Sequence, residues 1–113
     1  MNFASDNTSP VPTQILEKIN DVNHGYQNSY GEDDYMRELT DHINNIFETK
    51  KAIVYLVSTG TAANSLALAC LSKPWDTIFC SPISHLHQDE CNAPEFYTGG
   101  AKLTLVGQSD KIN

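Results

Sequence analysis

The feature that most constrains this chain is the join inside AIVYLVSTGTAANSLALACL, residues 52–71. Residues 52–57 form a continuous apolar, β-branched run without polar alternation, the pattern of a parallel-sheet strand covered on both faces. Ser58, Thr59, Gly60 and Thr61 interrupt it. Residues 60–71 then read as a helix of small and apolar residues, apolar nearly all round, which has to pack closely on its neighbours. A strand that feeds straight into such a helix is a unit of an α/β fold. A second short strand is expected at 77–80, then a loop at 81–90, SPISHLHQDE, and a helical turn near 93–96. Gly99 and Gly100 should turn the chain into a third strand at 101–106. Three strands with one long crossover helix are expected to be part of a doubly wound sheet rather than the whole of one.

The residues before this unit read as helical. Pro12 suits a first turn, and Ile15, Leu16 and Ile19 follow helical spacing, with an exit near Asn23, His24 and Gly25. Residues 27–35 should form a loop in which either Asp33 or Asp34 caps the next helix. Met36, Leu39, Ile43, Ile46 and Phe47 supply that helix's apolar stripe. Lys50 and Lys51 are expected to close it with charge that favours its dipole.

Composition excludes several classes of function. The 113 residues allow one modest domain, and 40% are hydrophobic, enough to build a core. Seven basic against fourteen acidic side chains leave a net charge of −7, which disfavours nucleic acid or an anionic membrane as partner. Any bound anion must then be held by local geometry. The opening MNFASDNTSPVP lacks a basic n-region and an apolar h-region, so no secretory leader is expected. No apolar run reaches the roughly eighteen residues of a membrane span. Cys70, Cys80 and Cys91 form an odd set without CxxC spacing, pointing to reduced thiols in a cytoplasmic protein.

Two constellations carry chemistry. The first is the Ser58, Thr59, Gly60, Thr61 turn, which lies at the carboxyl end of a strand and at the start of a helix. There, unpaired N–H groups and the positive end of the helix dipole form a seat for an anion, and Gly60 lets the backbone approach it. On the motif alone, simple helix capping by Ser58 or Thr59 is the commoner use. It matches neither the Walker loop nor GxGxxG. The second is SHLHQDEC, residues 84–91, beyond the next strand. His85, His87, Asp89 and Cys91 are ligand types at alternating positions, but residues two apart share a face only in an extended strand, so no metal site is expected. The other reading places the flat ring of His85 over a planar cofactor, with Asp89 or Glu90 as its neighbour. On the bland reading these are solvated loop residues.

Taken together, ASDN at 4–7, YGEDDYMRELTDHI at 30–43, VSTGTAANSLAL at 57–68, SHLHQDECNAPEF at 84–96 and TGGAKL at 98–103 resemble the threonine aldolase and β-eliminating lyase family. These are pyridoxal-phosphate (PLP) enzymes of fold type I. The resemblance implies an incomplete, aminotransferase-like large domain with a mostly parallel sheet and packed helices. Residues 1–24 would be an amino-terminal arm with the first helix, and residues 25–113 the first part of the PLP-binding large domain.

By the same resemblance, Ser58, Thr59, Gly60 and Thr61 bind the cofactor phosphate, and His85 stacks on the pyridine ring and serves catalysis. Ser5 and Tyr30 lie near the substrate, the Tyr30 loop at a subunit interface. The implied reaction is cleavage of threonine or a related β-hydroxy-α-amino acid to glycine and an aldehyde, in a homotetramer built as a dimer of dimers. The family's cofactor-bonding lysine, its aspartate opposite the pyridine nitrogen and its substrate-binding arginines match nothing here. Lys18, Lys50, Lys51, Lys73, Lys102 and Lys111 lie outside the lysine motif, and Arg37 lies in an ordinary helix. The chain is therefore expected to be an amino-terminal piece without activity of its own. The alternative is a non-catalytic phosphate-binding or assembly fragment completed by a second polypeptide.

Overall fold

A computed structural model describes residues 8–111. The chain divides between Val54 and Tyr55 into two compact units, each taken by itself below. Ser5 lies outside the described residues.

The first unit holds two helices. Helix α1, Thr13–Val22, begins after Pro12, whose carbonyl accepts from the Ile15 N–H at 3.0 Å. The proline's φ of −54° is already suited to the helix start. Ile15, Leu16 and Ile19 do form a stripe, and all three are exposed. Helix α2, Asp34–Ile46, is capped by Asp33, whose Oδ1 accepts from the Met36 N–H at 2.9 Å. Of the two aspartates, Asp33 takes the cap because it is the one still in extended backbone, φ −82°, ψ 165°. Asp34 sits inside the first turn and pairs with Arg37 one turn on.

Lys50 and Lys51 do not close α2. The helix stops at Ile46, Glu48 turns left-handed at φ 50°, and the Thr49 N–H returns to the Asn44 carbonyl at 2.9 Å. Its last turn has no basic residue. Asn44 then holds the outgoing chain, its Oδ1 accepting from the Ala52 N–H at 3.0 Å.

The second unit runs α3 (Gly60–Leu71), β1 (Thr77–Cys80), α4 (His85–Gln88), α5 (Ala93–Tyr97) and β2 (Lys102–Leu105). Strands β1 and β2 pair in parallel, Thr77 opposite Lys102 through Cys80 opposite Leu105. The ladder continues at both ends, Lys102 N–H to the Asp76 carbonyl at 3.0 Å and Val106 N–H to the Cys80 carbonyl at 2.9 Å. Helix α5 packs on α3. Ser65, a small residue of α3, is buried, as are Pro94 of α5, Cys80 of β1 and Ala101. Thr98 ties off α5, donating its hydroxyl to the Pro94 carbonyl at 2.7 Å and accepting from the Ala101 N–H at 3.1 Å. Gly99 follows at φ 76°, where an added Cβ would lie 3.3 Å from Pro74 Cγ.

Two further expectations are corrected. Residues 52–57 form no strand, because a strand exists only through its ladder and this run has no backbone partner among the described residues. Ile53, Tyr55 and Leu56 are exposed as a result. The segment 81–90 is not all loop. Ser84 caps a single helical turn at His85–Gln88, its carbonyl accepting from the Gln88 N–H at 3.0 Å.

The capping assignment is testable. Asp33→Ala is expected to cost about 1 kcal/mol of stability, measured by denaturant unfolding. Asp34→Ala removes only exposed side-chain contacts, to Arg37 and Gln27, and should cost less than about 0.5 kcal/mol. Equal effects would refute the assignment of Asp33 as the cap.

Candidate functional site

The amino terminus of α3 is built by Thr59. Its extended backbone, φ −144°, ψ 157°, brings its hydroxyl to accept from the Ala62 N–H at 3.1 Å, and its carbonyl to accept from the Ala63 N–H at 3.2 Å. The capping reading is therefore correct for Thr59. It leaves the N–H groups of Gly60 and Thr61 without a partner among the described residues. Ser58, Thr59 and Gly60 are exposed, and a Cβ added at Gly60 would meet nothing within 4 Å. Open space, two free donors and the positive end of a twelve-residue helix fit an anionic oxygen group. Capping and anion binding are thus compatible uses of the same turn.

Behind this turn lies a polar cluster in an otherwise apolar helix. Thr61, Asn64 and Ser65 share one face of α3, three and four residues apart. Glu90, only 1% exposed, is drawn to that face: Asn64 Nδ2 donates to its Oε1 at 2.8 Å. His85 Nδ1 lies 2.8 Å from the same Oε1. The Asn64 hydrogen bond is the largest influence on the Glu90 carboxyl and lowers its pKa. Burial opposes this, and the His85 and Thr61 side chains lower it further, leaving the group below the usual carboxylate range.

Glu90 reaches this position because the chain reverses directly after it. Cys91 and Asn92 are both left-handed, φ 51° and 61°, and the Ala93 N–H returns to the Glu90 carbonyl at 2.9 Å. Asn92 tolerates that conformation better than most residues.

The structure thus joins His85 to α3, the helix whose start Thr59, Gly60 and Thr61 form, and it selects Glu90 over Asp89 as the histidine's neighbour. His87 is exposed on the same short helix. Tyr30, in the first unit, is fully exposed with φ 61°, followed by Gly31 at φ 78°. Among the described residues, no hydrogen bond or ion pair joins a lysine to the Glu90 cluster, and Lys73 sits 5.7 Å from the Trp75 ring. No three His, Cys, Asp or Glu side chains among them gather in a metal-ligating arrangement. No helix among them is long and apolar enough to cross a membrane. Asn64 escaped the sequence reading. Its signal was three polar residues on one face of a helix whose other residues are apolar.

A parallel pair of strands with packed helices, and a site at the start of the long helix, corresponds to part of the α/β large domain of PLP fold type I. The structure shares that fold with the threonine aldolase of Leishmania major, at a TM-score of 0.79 and 23% identity, over 89% of this chain and 29% of that one. The sequence matches the beta-eliminating lyase family over residues 2–112, and the chain belongs to that family. It is 41% identical over 108 residues to the low specificity L-threonine aldolase of Pseudomonas sp. (strain NCIMB 10558), covering 96% of this chain and 31% of that protein. Against the low specificity L-threonine aldolase of Pseudomonas aeruginosa, identity is 40% over 104 residues, 92% of this chain and 30% of the relative. The chain thus spans less than a third of the length of these relatives.

The Glu90 site has a pH signature. A carboxyl whose pKa is lower folded than unfolded stabilises the fold above the ordinary glutamate value, about 4.3. That stabilisation is lost as the pH falls through the lower folded value. Thermal unfolding of the wild type should therefore weaken on acidification more steeply than that of Glu90→Gln. Parallel curves for the two would show that Glu90 is not held ionised.

Proposed function

We propose that this chain carries the phosphate-gripping and ring-orienting portion of a PLP-dependent aldehyde-lyase acting on threonine or a related β-hydroxy-α-amino acid. The observation that carries this reading is the junction at Glu90, where the helix bearing an open anion seat and the ring of His85 meet on one buried carboxylate. Membership of the family and two relatives named as threonine aldolases support it.

The seat fits the cofactor's phosphate. The N–H groups of Gly60 and Thr61 would bind its oxygens, with the hydroxyls of Ser58, Thr59 and Thr61 donating around them. His85 would lie against the pyridine ring, fix its plane and exchange a proton with the substrate hydroxyl. Bound in this way, PLP supplies an electron sink for the carbanion left when the carbon–carbon bond breaks. Ser5 and Tyr30 are assigned to the substrate end of the site.

The chain alone is proposed to be inactive, as the amino-terminal part of a longer cytoplasmic enzyme that assembles as a dimer of dimers. The exposed apolar run around Tyr55, Leu56 and Val57 favours a remainder that pairs with it as a neighbouring strand.

Titration of the purified chain with PLP, followed by absorbance, is expected to saturate. Thr61→Ala should raise the dissociation constant about tenfold, the loss of one charge-assisted hydrogen bond of about 1.5 kcal/mol. Incubation with threonine and PLP should release no glycine. Unchanged affinity in Thr61→Ala would remove the phosphate assignment, and glycine release would overturn the claim of inactivity.

A further inference from the structure

We propose that Glu90, held by Asn64, is a positioning residue that fixes His85 with its Nδ1 protonated and turned toward the protein, leaving Nε2 as the ring's one proton-accepting atom. This rests on the reading of His85 as the residue that faces cofactor and substrate.

Asn64 can approach Oε1 only as a donor through its NH2 group, so Oε1 is an acceptor. Held as an ionised carboxylate, Glu90 can only accept, so the His85 ring nitrogen 2.8 Å from Oε1 must donate. Nδ1 therefore carries the proton, and in the neutral ring Nε2 carries the lone pair. Without such a partner a neutral histidine favours the opposite tautomer, with the proton on Nε2. Glu90 thus inverts the intrinsic preference of the ring. It also restricts rotation of a side chain that is otherwise 63% exposed. His87, two residues on, has no ring hydrogen bond or ion pair among the described residues, so the arrangement singles out His85.

A purely structural role accounts poorly for this carboxylate. Glu90 Oε2 is buried without a partner of good hydrogen-bond geometry, and an apolar residue of similar volume would fill the same space without that desolvation cost. What an apolar residue could not do is hold the imidazole. Asn64 lies one turn into α3, so that helix and the ring of His85 are registered against one common group. A ligand that engages both would find their separation already set.

Long-range proton–nitrogen NMR of the nitrogen-labelled chain, at a pH where the rings are neutral, reads the tautomer directly. His85 is assigned by its loss in His85→Gln. The wild type is expected to show the Nδ1–H form at His85 and the ordinary Nε2–H form at His87. Glu90→Met should lose the Nδ1–H signature. Glu90→Gln should keep it, because Asn64 still orients an amide oxygen toward the ring, and the double variant Asn64→Ala/Glu90→Gln should lose it. Should Glu90→Met fail to fold, the Gln single and double variants carry the test alone. An Nε2–H tautomer at His85 in the wild type, or an Nδ1–H signature that survives in the double variant, overturns the proposal. A titration with PLP separates the two readings. If no form binds the cofactor but the tautomer pattern holds, the cofactor reading fails while the positioning of His85 by Glu90 stands.

Discussion

The site in the second unit is organised around one buried carboxylate. Glu90 follows the single turn of α4 and precedes a left-handed reversal at Cys91 and Asn92, and it is held against the polar face of α3 by Asn64. That contact spans 26 residues of sequence and crosses β1. With the parallel ladder and the packing of α5 on α3, it locks the short segments after β1 to the long helix before it. A helix as short as α4 has no independent stability, so the position of His85 is borrowed from its neighbours. The carboxylate that joins α4 to α3 also sets how the imidazole presents itself. Structure and chemistry here share one interaction.

The remaining surfaces have a different character. Few large apolar side chains are buried in the described residues, whereas Ile53, Tyr55, Leu56, Leu71, Trp75 and Phe79 are exposed. In the second unit a groove of about 510 Å³ runs between Tyr55 and Val57 on one side and Ala63, Leu66, Ala67 and Cys70 on the other. Apolar exposure on this scale is uncommon on the surface of a monomer and marks a face suited to association.

Much of the fold was legible because local rules and tertiary packing agree. Residues 60–71 are helical as the alanine-rich pattern requires, and α1 begins after a proline that preorganises its first turn. Residues 77–80 are a strand, and the strand expected at 101–106 appears as Lys102–Leu105. Three readings went differently for physical reasons. The run at 52–57 has strand composition but no partner to complete a ladder. The end of α2 was decided by the left-handed turn at Glu48 rather than by the lysines beyond it. The histidine segment gained a helical turn from one serine cap, a signal too short to outweigh its loop-like composition.

By itself, the amino-acid sequence determined the α/β class, the capped helix start with its glycine, and the family to which the chain belongs. Those properties follow from patterns that neighbouring residues carry together: periodicity, turn chemistry and motif order. Only the tertiary structure decided that Glu90 rather than Asp89 partners His85, and that Asn64 matters at all. Both are consequences of folding residues 64, 85 and 90 onto one face. The physical reason is that a carboxylate beside a histidine in sequence is merely solvated, whereas the same carboxylate buried against a helix must find donors. In this fold the donors are an amide of α3 and the imidazole of His85.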